Sequence, residues 1–176
     1  MHSLTMKIGL FYDIFKTPAG WIGILASSQG CLRTTLPQHS SELALTELGK
    51  DAISAIRSPA YLNNLRREFE AYFNGEEVAF LGALDLSGAT PFERAVWEAT
   101  RLIPRGETRS YAWVANQISN PRAPRAVGQA LARNPLPIII PCHRVLTTNG
   151  KLGGFGGGLK MKEFLLALEA GHSSRS

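Results

Sequence analysis

The segment Asn134-Pro135-Leu136-Pro137-Ile138-Ile139-Ile140-Pro141-Cys142-His143-Arg144-Val145 constrains this chain more than any other. Three successive isoleucines favour an extended, fully buried strand. Pro141 cannot donate to a β-ladder, so the expected strand ends or kinks there. Cys142 is then expected at the mouth of a rigid buried strand with one side open, where a scaffold-held nucleophile is useful. The alternative is that Cys142 is a small buried hydrophobe, as free cysteines often are.

The 176 residues, 44% of them hydrophobic, are enough for one domain or two small ones with a proper core. No run approaches a membrane span, and Met1–Lys7 lacks the apolar stretch of a signal peptide. A cytoplasmic protein with no membrane partner is expected. The two cysteines, Cys31 and Cys142, lie far apart with no CxxC. Neither a disulfide framework nor a cysteine metal site is expected, and a reducing compartment fits.

Charge divides the chain. Residues 1–90 carry 7 Lys+Arg against 9 Asp+Glu, and residues 91–176 carry 12 against 5. From Glu93 to Val145 every Lys/Arg position is arginine. A basic second half points to a polyanion partner for that half, and the planar guanidinium fork favours phosphate or base contacts. The plainer alternative is a solvated basic surface.

Residues 6–36 read as three strands, with turns at Thr17–Gly20 and Ser27–Gly30. Cys31 is expected to pack in the core or at an edge, and His39 to lie on the surface. Ser58-Pro59 reads as a helix start. Leu62, Leu65, Phe69, Tyr72 and Phe73 follow at helical spacing, a stripe expected to serve the core. Val78–Leu86 reads as one more short strand. The fold class expected is a small α/β domain, antiparallel sheet plus helix, over residues 1–88. A mainly α, winged helix-turn-helix-like domain is expected over residues 89–176.

Thr90-Pro91-Phe92-Glu93 is a capping box with proline at the first helical position. Phe92, Ala95, Val96, Ala99, Leu102 and Ile103 form one face of the helix it opens. Ser110 caps a second helix, Tyr111–Ile118, and after the turn at Asn120–Pro124 comes a third, Arg125–Arg133. Two short helices joined by a tight turn in a basic region read as helix-turn-helix. The third helix is almost bare: Ala126, Gln129 and Ala130 are expected outward, and Gly128 costs about 1 kcal/mol of helix propensity against alanine. That composition suits either close approach to a narrow groove or tight packing inside the domain. Gly153-Gly154-Phe155-Gly156-Gly157-Gly158 lacks the Lys-Ser/Thr ending of a phosphate loop. It suits a pocket for a flat ligand, with Phe155 to stack. The last helix runs from Leu159 to Ala170, with Leu165, Leu166 and Leu168 inward and Glu169 near its end.

Pro141-Cys142-His143-Arg144-Val145 resembles the active-site signature of the O6-alkylguanine-DNA alkyltransferases, also called methylated-DNA–protein-cysteine methyltransferases. The resemblance extends through Gly106–Tyr111, Arg125–Gly128, Asn134-Pro135, Ile138–Ile140, the glycine-rich loop and Lys162–Leu166, covering about residues 90–171. It implies irreversible, single-turnover transfer of an alkyl group from O6-alkylguanine in duplex DNA to Cys142. The base would be flipped out from the minor groove, and O4-alkylthymine is a further candidate lesion. It also implies roles: His143 acting on Cys142 through water, Glu169 orienting His143, and Tyr111 donating to the leaving guanine. Asn134 would hold the helix and the active-site strand together. Arg125 would fill the gap in the stack, with Ser110, Arg122, Ala126, Gln129 and Arg133 along the DNA. Val145, Phe155, Gly156 and Pro137 would line the base pocket. Family members commonly carry Tyr where Phe155 stands, and often Ser or Ala where Gly156 stands. No cofactor or metal is implied, and a monomer is expected.

The chemistry of the parts agrees. The thiolate is the nucleophile, and an unperturbed thiol has a pKa of about 8.5. A nearby imidazole can take the proton. The thioether product cannot be expelled again. Two other classes stand beside this one: a non-reacting DNA-binding protein, which the cysteine argues against, and a Cys-His hydrolase with turnover. The helix-turn-helix and the lack of an oxyanion motif argue against the hydrolase.

Overall fold

The computed structural model of the chain describes residues 9–171. These fall into two compact units: residues up to Glu70 together with Phe80–Asp85, and Ala71–Ala79 together with the chain from Leu86 onward.

In the first unit, β1 (Phe11–Thr17) and β2 (Gly20–Ser27) form an antiparallel hairpin, with Phe11 opposite Ala26 and Thr17 opposite Gly20. Gly20 has φ +137 and its Cα hydrogen points at the Gln38 carbonyl, where a Cβ would come within 2.7 Å. β3 (Gly30–Thr34) pairs antiparallel with β2. The polar stretch after it, hard to read in the sequence, forms α1 (Ser41–Leu48), whose N-cap Ser40 accepts from Leu43 N–H, and the short α2 (Lys50–Ile53). These helices carry the chain back across the sheet. β4 (Ile56–Arg57) therefore pairs parallel to β1, and the order is β3-β2-β1-β4. The sheet is thus mixed rather than antiparallel, because a crossover returns the next strand in the same direction.

Adjacent strand residues point to opposite faces. Ile14 packs with Leu25, Ala44, Leu48 and Ala52 on the α1 side. Phe15 faces Phe69, whose ring lies 5.1 Å from that of Phe80. Gly23 lets α1 lie close on the sheet, since a Cβ there would meet Leu48 at 2.8 Å. Ser58-Pro59 opens a turn rather than the helix itself. Tyr61 N–H reaches Ser58 Oγ, and α3 runs from Asn63 to Phe73, its last turn belonging to the second unit. Val78–Leu86 forms no strand. It makes only an isolated bridge, Leu84 with Cys31, whose N–H is taken by the Ala83 carbonyl. The expected first strand reached back to Met6, and residues 6–8 lie outside the described residues.

The second unit is mainly helical. α4 (Pro91–Thr100) has the full capping box: Glu93 N–H donates to Thr90 Oγ1 and Thr90 N–H to Glu93 Oε2, both at 3.1 Å. Val96, Trp97 and Ile103 are buried, whereas Leu102, expected inward, is 66% exposed because the helix has ended before it. β5 (Arg109–Ser110) leads into α5 (Tyr111–Gln117), capped by Ser110 Oγ on Trp113 N–H, and α6 (Pro124–Ala132) follows. Val114, Ala115, Val127 and Leu131 close the core between α4, α5 and α6. Ala130, expected outward, is fully buried, and its carbonyl accepts the Trp97 indole N–H at 3.0 Å. Gly128 faces Tyr111: a Cβ there would sit 3.6 Å from the ring, in ordinary contact. Part of the bare helix is therefore internal packing. β6 (Val145–Leu146) pairs parallel with β5, and α7 (Leu159–Glu169) completes the unit.

Candidate active site

The isoleucine run is not a strand. Prolines at 135, 137 and 141 remove three of the N–H groups a ladder would need. The backbone folds into a compact turn instead. Asn134 closes it: Nδ2 donates to the Ile140 carbonyl and Oδ1 accepts from Leu136 N–H, each at 2.9 Å. Ile140 N–H reaches back to the Leu136 carbonyl at 2.8 Å, and Ile138 is held at φ +76. That value is costly for a β-branched residue and survives only where the surroundings over-determine it. Here the anchors are the fully buried Leu136 and Ile140 side chains.

The turn delivers Cys142 to the first position of a 3-10 turn, Cys142–Arg144, not to an extended segment. Cys142 is half-buried, and His143 behind it is fully buried. His143 Nε2 lies 2.6 Å from Glu169 Oε1. Its Nδ1 is buried with no hydrogen-bond partner among the described residues. Since the carboxylate accepts from Nε2–H, Nδ1 carries the lone pair. Arg144 Nε and Nη2 bind the two oxygens of Glu169 at 2.9 Å each, and Nη1 binds the Ile103 carbonyl at 2.7 Å. The Tyr72 hydroxyl donates to Glu169 Oε1 at 2.8 Å.

These contacts set the charges. Burial would raise the Glu169 carboxyl, but the hydrogen bonds from His143 and Arg144 outweigh it and hold the group well below the usual carboxylate range. Burial pushes His143 down, against the pull of Glu169, so the imidazole is neutral near pH 7. Burial pushes the Cys142 thiol up. The Asn134 side chain, the Lys162 charge and the Cys142 and His143 N–H groups oppose that rise without cancelling it. The resting cysteine is a thiol that needs a base. Tyr111 is pushed up by burial and by negative charge on Cys142, and so stays a donor. Its ring sits between Gly128 and Gly153, where a Cβ on Gly153 would lie 3.2 Å from the hydroxyl.

Lys162 is buried in the middle of α7. Its Nζ donates to the Val145 carbonyl at 2.8 Å and to the Leu152 carbonyl, and lies 6.0 Å from the centre of the Phe155 ring. It ties the glycine-rich loop to the residues that follow Cys142. Val145 is buried, Pro137 and Phe155 are half-buried, and Gly156 is exposed with open space where a Cβ would stand. Arg122, Arg125 and Gln129 are exposed on and before α6, and Ala126 is half-buried. Arg133 is bound at 2.7 Å to Glu93, and the Ser110 oxygen is taken up by its capping bond.

Cys142, His143, Glu169 and Asn134 thus converge as a connected group, with Tyr111 electrostatically coupled to the thiol. Arg122, Arg125, Gln129 and Arg133 are not part of that group; they lie on α6 and just before and after it. Three members escaped the sequence reading. Arg144 had a signal in its place directly after His143. Lys162 shares a helical face with Leu165 and Glu169, at i, i+3 and i+7. Tyr72, read as core, had none.

The family model described as "6-O-methylguanine DNA methyltransferase, DNA binding domain" matches residues 91–171. A methylated-DNA–protein-cysteine methyltransferase of Methanosarcina acetivorans is 40% identical over 160 residues, spanning 91% of this chain and 98% of that protein. One from Mycolicibacterium paratuberculosis is 55% identical over 106 residues, 60% of this chain and 64% of that protein. Among solved structures, Mycobacterium tuberculosis OGT in complex with DNA superposes with a TM-score of 0.79 at 36% identity, covering 94% of this chain and 96% of that one. The O6-methylguanine-DNA methyltransferase of Pyrococcus kodakaraensis gives 0.69 at 28% identity, covering 91% and 98%. The chain belongs to the methylated-DNA–protein-cysteine methyltransferases, a family of DNA-binding methyltransferases of DNA repair. No helix among the described residues is long and apolar enough to cross a membrane.

Proposed function

We propose that this protein repairs duplex DNA by moving the alkyl group of O6-alkylguanine irreversibly to Cys142, one group per chain. The observation that carries this is the buried His143–Glu169 pair on the residue directly after Cys142: a neutral imidazole, its Nδ1 without a partner among the described residues, next in the chain to a thiol that burial keeps protonated. His143 Nδ1 takes the thiol proton through a water molecule, and Glu169 steadies the imidazolium that results. Sγ attacks the alkyl carbon, the carbon–O6 bond breaks, and the electron pair leaves with guanine. Tyr111 donates toward the departing base, and guanine ends with the proton that the thiol gave up. The product thioether has no lone proton to lose and no leaving group to return, so the chain is spent.

The helix-turn-helix holds the duplex from the minor groove, with exposed Arg122, Arg125 and Gln129 toward DNA, and the flipped base enters beside Val145, Pro137, Phe155 and Gly156. Residues 89–176 carry the reacting groups, and the first unit, residues up to Glu70 with Phe80–Asp85, forms an accessory domain. One chain supplies every member of the relay, which supports a monomer. A thiol acceptor and a second reduced cysteine fit the cytoplasm.

The test mixes the protein with duplex DNA containing one O6-methylguanine and takes the intact-protein mass. One methyl group per chain on Cys142 is expected, with repair stopping at one equivalent. Repeated turnover, or transfer by Cys142→Ala, rules the proposal out.

A further inference from the structure

We propose that Tyr72 is a positioning residue for this reaction, fixing Glu169 and, through it, the orientation and proton affinity of His143. The inference rests on the transfer reading above and extends the relay to a residue from the first half of the chain.

Glu169 Oε1 accepts from three donors: His143 Nε2 at 2.6 Å, Tyr72 Oη at 2.8 Å and Arg144 Nη2 at 2.9 Å. Arg144 sets the plane of the carboxylate through its two-point contact. Tyr72 approaches the shared oxygen from a closely packed, buried ring. The side chain is 1% exposed, stands edge-on to Phe73 at 5.1 Å, and is covered by the Arg105 guanidinium 5.4 Å from its centre. Arg105 is itself held by the Gly75 and Leu168 carbonyls. A tyrosine needed only to fill this space could be a phenylalanine, since a buried hydroxyl without a partner is costly. Burial and the adjacent Glu169 charge push the phenol up, so it stays protonated and donates to the carboxylate.

The consequence has a definite sign. An oxygen shared by three donors is a weaker acceptor for each of them. Tyr72 therefore limits how strongly Glu169 favours the protonated imidazole and keeps His143 available as a base. Removing the hydroxyl makes Glu169 a stronger partner for His143, and the imidazole keeps its proton to higher pH.

The experiment measures single-turnover methyl transfer from O6-methylguanine duplex against pH, using the full chain. Tyr72→Phe is expected to move the limb on which His143 deprotonates upward by about 0.5 pH unit, a fraction of the roughly 1–2 units that one hydrogen bond to a charged group is worth, because Tyr72 acts on His143 only through the shared oxygen. Leu48→Ala, a core change in the first unit that touches neither Tyr72 nor its packing partners, is expected to lower the melting temperature without moving that limb. If Tyr72→Phe does not fold, 3-fluorotyrosine at position 72 keeps the ring and donates more strongly, and the limb is expected to move down. An unmoved limb in the folded Tyr72 variant overturns the inference. A wild-type chain that takes up no methyl group instead overturns the transfer reading itself, so the two failures are told apart.

Discussion

Lys162 Nζ lies 2.8 Å from the carbonyl oxygen of Val145, so a buried ammonium on α7 is hydrogen-bonded to the residue that ends the Cys142 turn. The same cation opposes the rise of the Cys142 thiol. One side chain therefore does two things: it closes the backbone around the pocket and supplies positive charge to the nucleophile.

Replacing it separates the two effects. Lys162→Met keeps most of the volume but leaves carbonyls without their donor. A loss of about 2–4 kcal/mol is expected in chemical denaturation. The Cys142 thiol should also titrate higher, read as the pH dependence of iodoacetamide alkylation. Cys31 will not confuse that readout, because burial pushes its thiol to about 12. A thiol titration unchanged from wild type would remove Lys162 from the electrostatics of the site.

Acid should unfold this protein through its own relay. Glu169 is held below its ordinary 4.5 and His143 below its ordinary 6.5. A group whose folded pKa is depressed contributes stability above the unfolded value and loses it as pH falls toward the folded one. Both groups thus act in the same direction: the melting temperature is expected to fall as pH drops below about 7, first through His143 and then, from about pH 5 downward, through Glu169. Glu169→Gln should cost about 3–5 kcal/mol at neutral pH, because it removes one charge from a buried pair, and should flatten the slope below about pH 5. An unchanged acid slope in that variant would contradict the assignment.

Asn134 is expected to be as important to the backbone as to the chemistry. Asn134→Ala leaves the Ile140 carbonyl and the Leu136 N–H unpaired inside the turn that positions Cys142. The expected destabilisation is about 2–4 kcal/mol, with slower methyl transfer, since the thiol also loses a hydrogen bond. Denaturation curves and single-turnover rates on the same preparation check both. A stability equal to wild type would show that the turn does not depend on this side chain.

Arg125 tests base flipping. It is exposed directly after Pro124, at the start of α6. Arg125→Ala is expected to slow repair of duplex DNA strongly, because filling the vacated stack offsets an unstacking cost of a few kcal/mol. Reaction of Cys142 with free O6-methylguanine base, which needs no flipping, should hardly change. A parallel fall in both rates would place Arg125 in support of the fold or pocket; no fall in either would assign the intercalating role elsewhere.

Local signals determined much of this protein. The Thr90–Glu93 capping box, the Ser110 cap and the spacing of Val114, Val127 and Leu131 placed the starts of α4, α5 and α6 to within a residue, because capping and helical periodicity act over a few positions, while the end of α4 came three residues earlier than expected. The juxtaposed Cys142 and His143 marked the site. The isoleucine run misled because its β-branched residues favour extension, while three prolines and the Asn134 side chain, acting together, made a turn at Ile138 the cheaper way to satisfy the backbone. Only the tertiary structure could decide what surrounds Glu169. Tyr72 on α3 and His143 and Arg144 on the 3-10 turn reach one carboxylate on α7, separated from it by 97, 26 and 25 positions. Its proton affinity is set by that convergence: hydrogen bonding in a buried site depends on which donors the fold brings within 3 Å, and no local pattern encodes that distance.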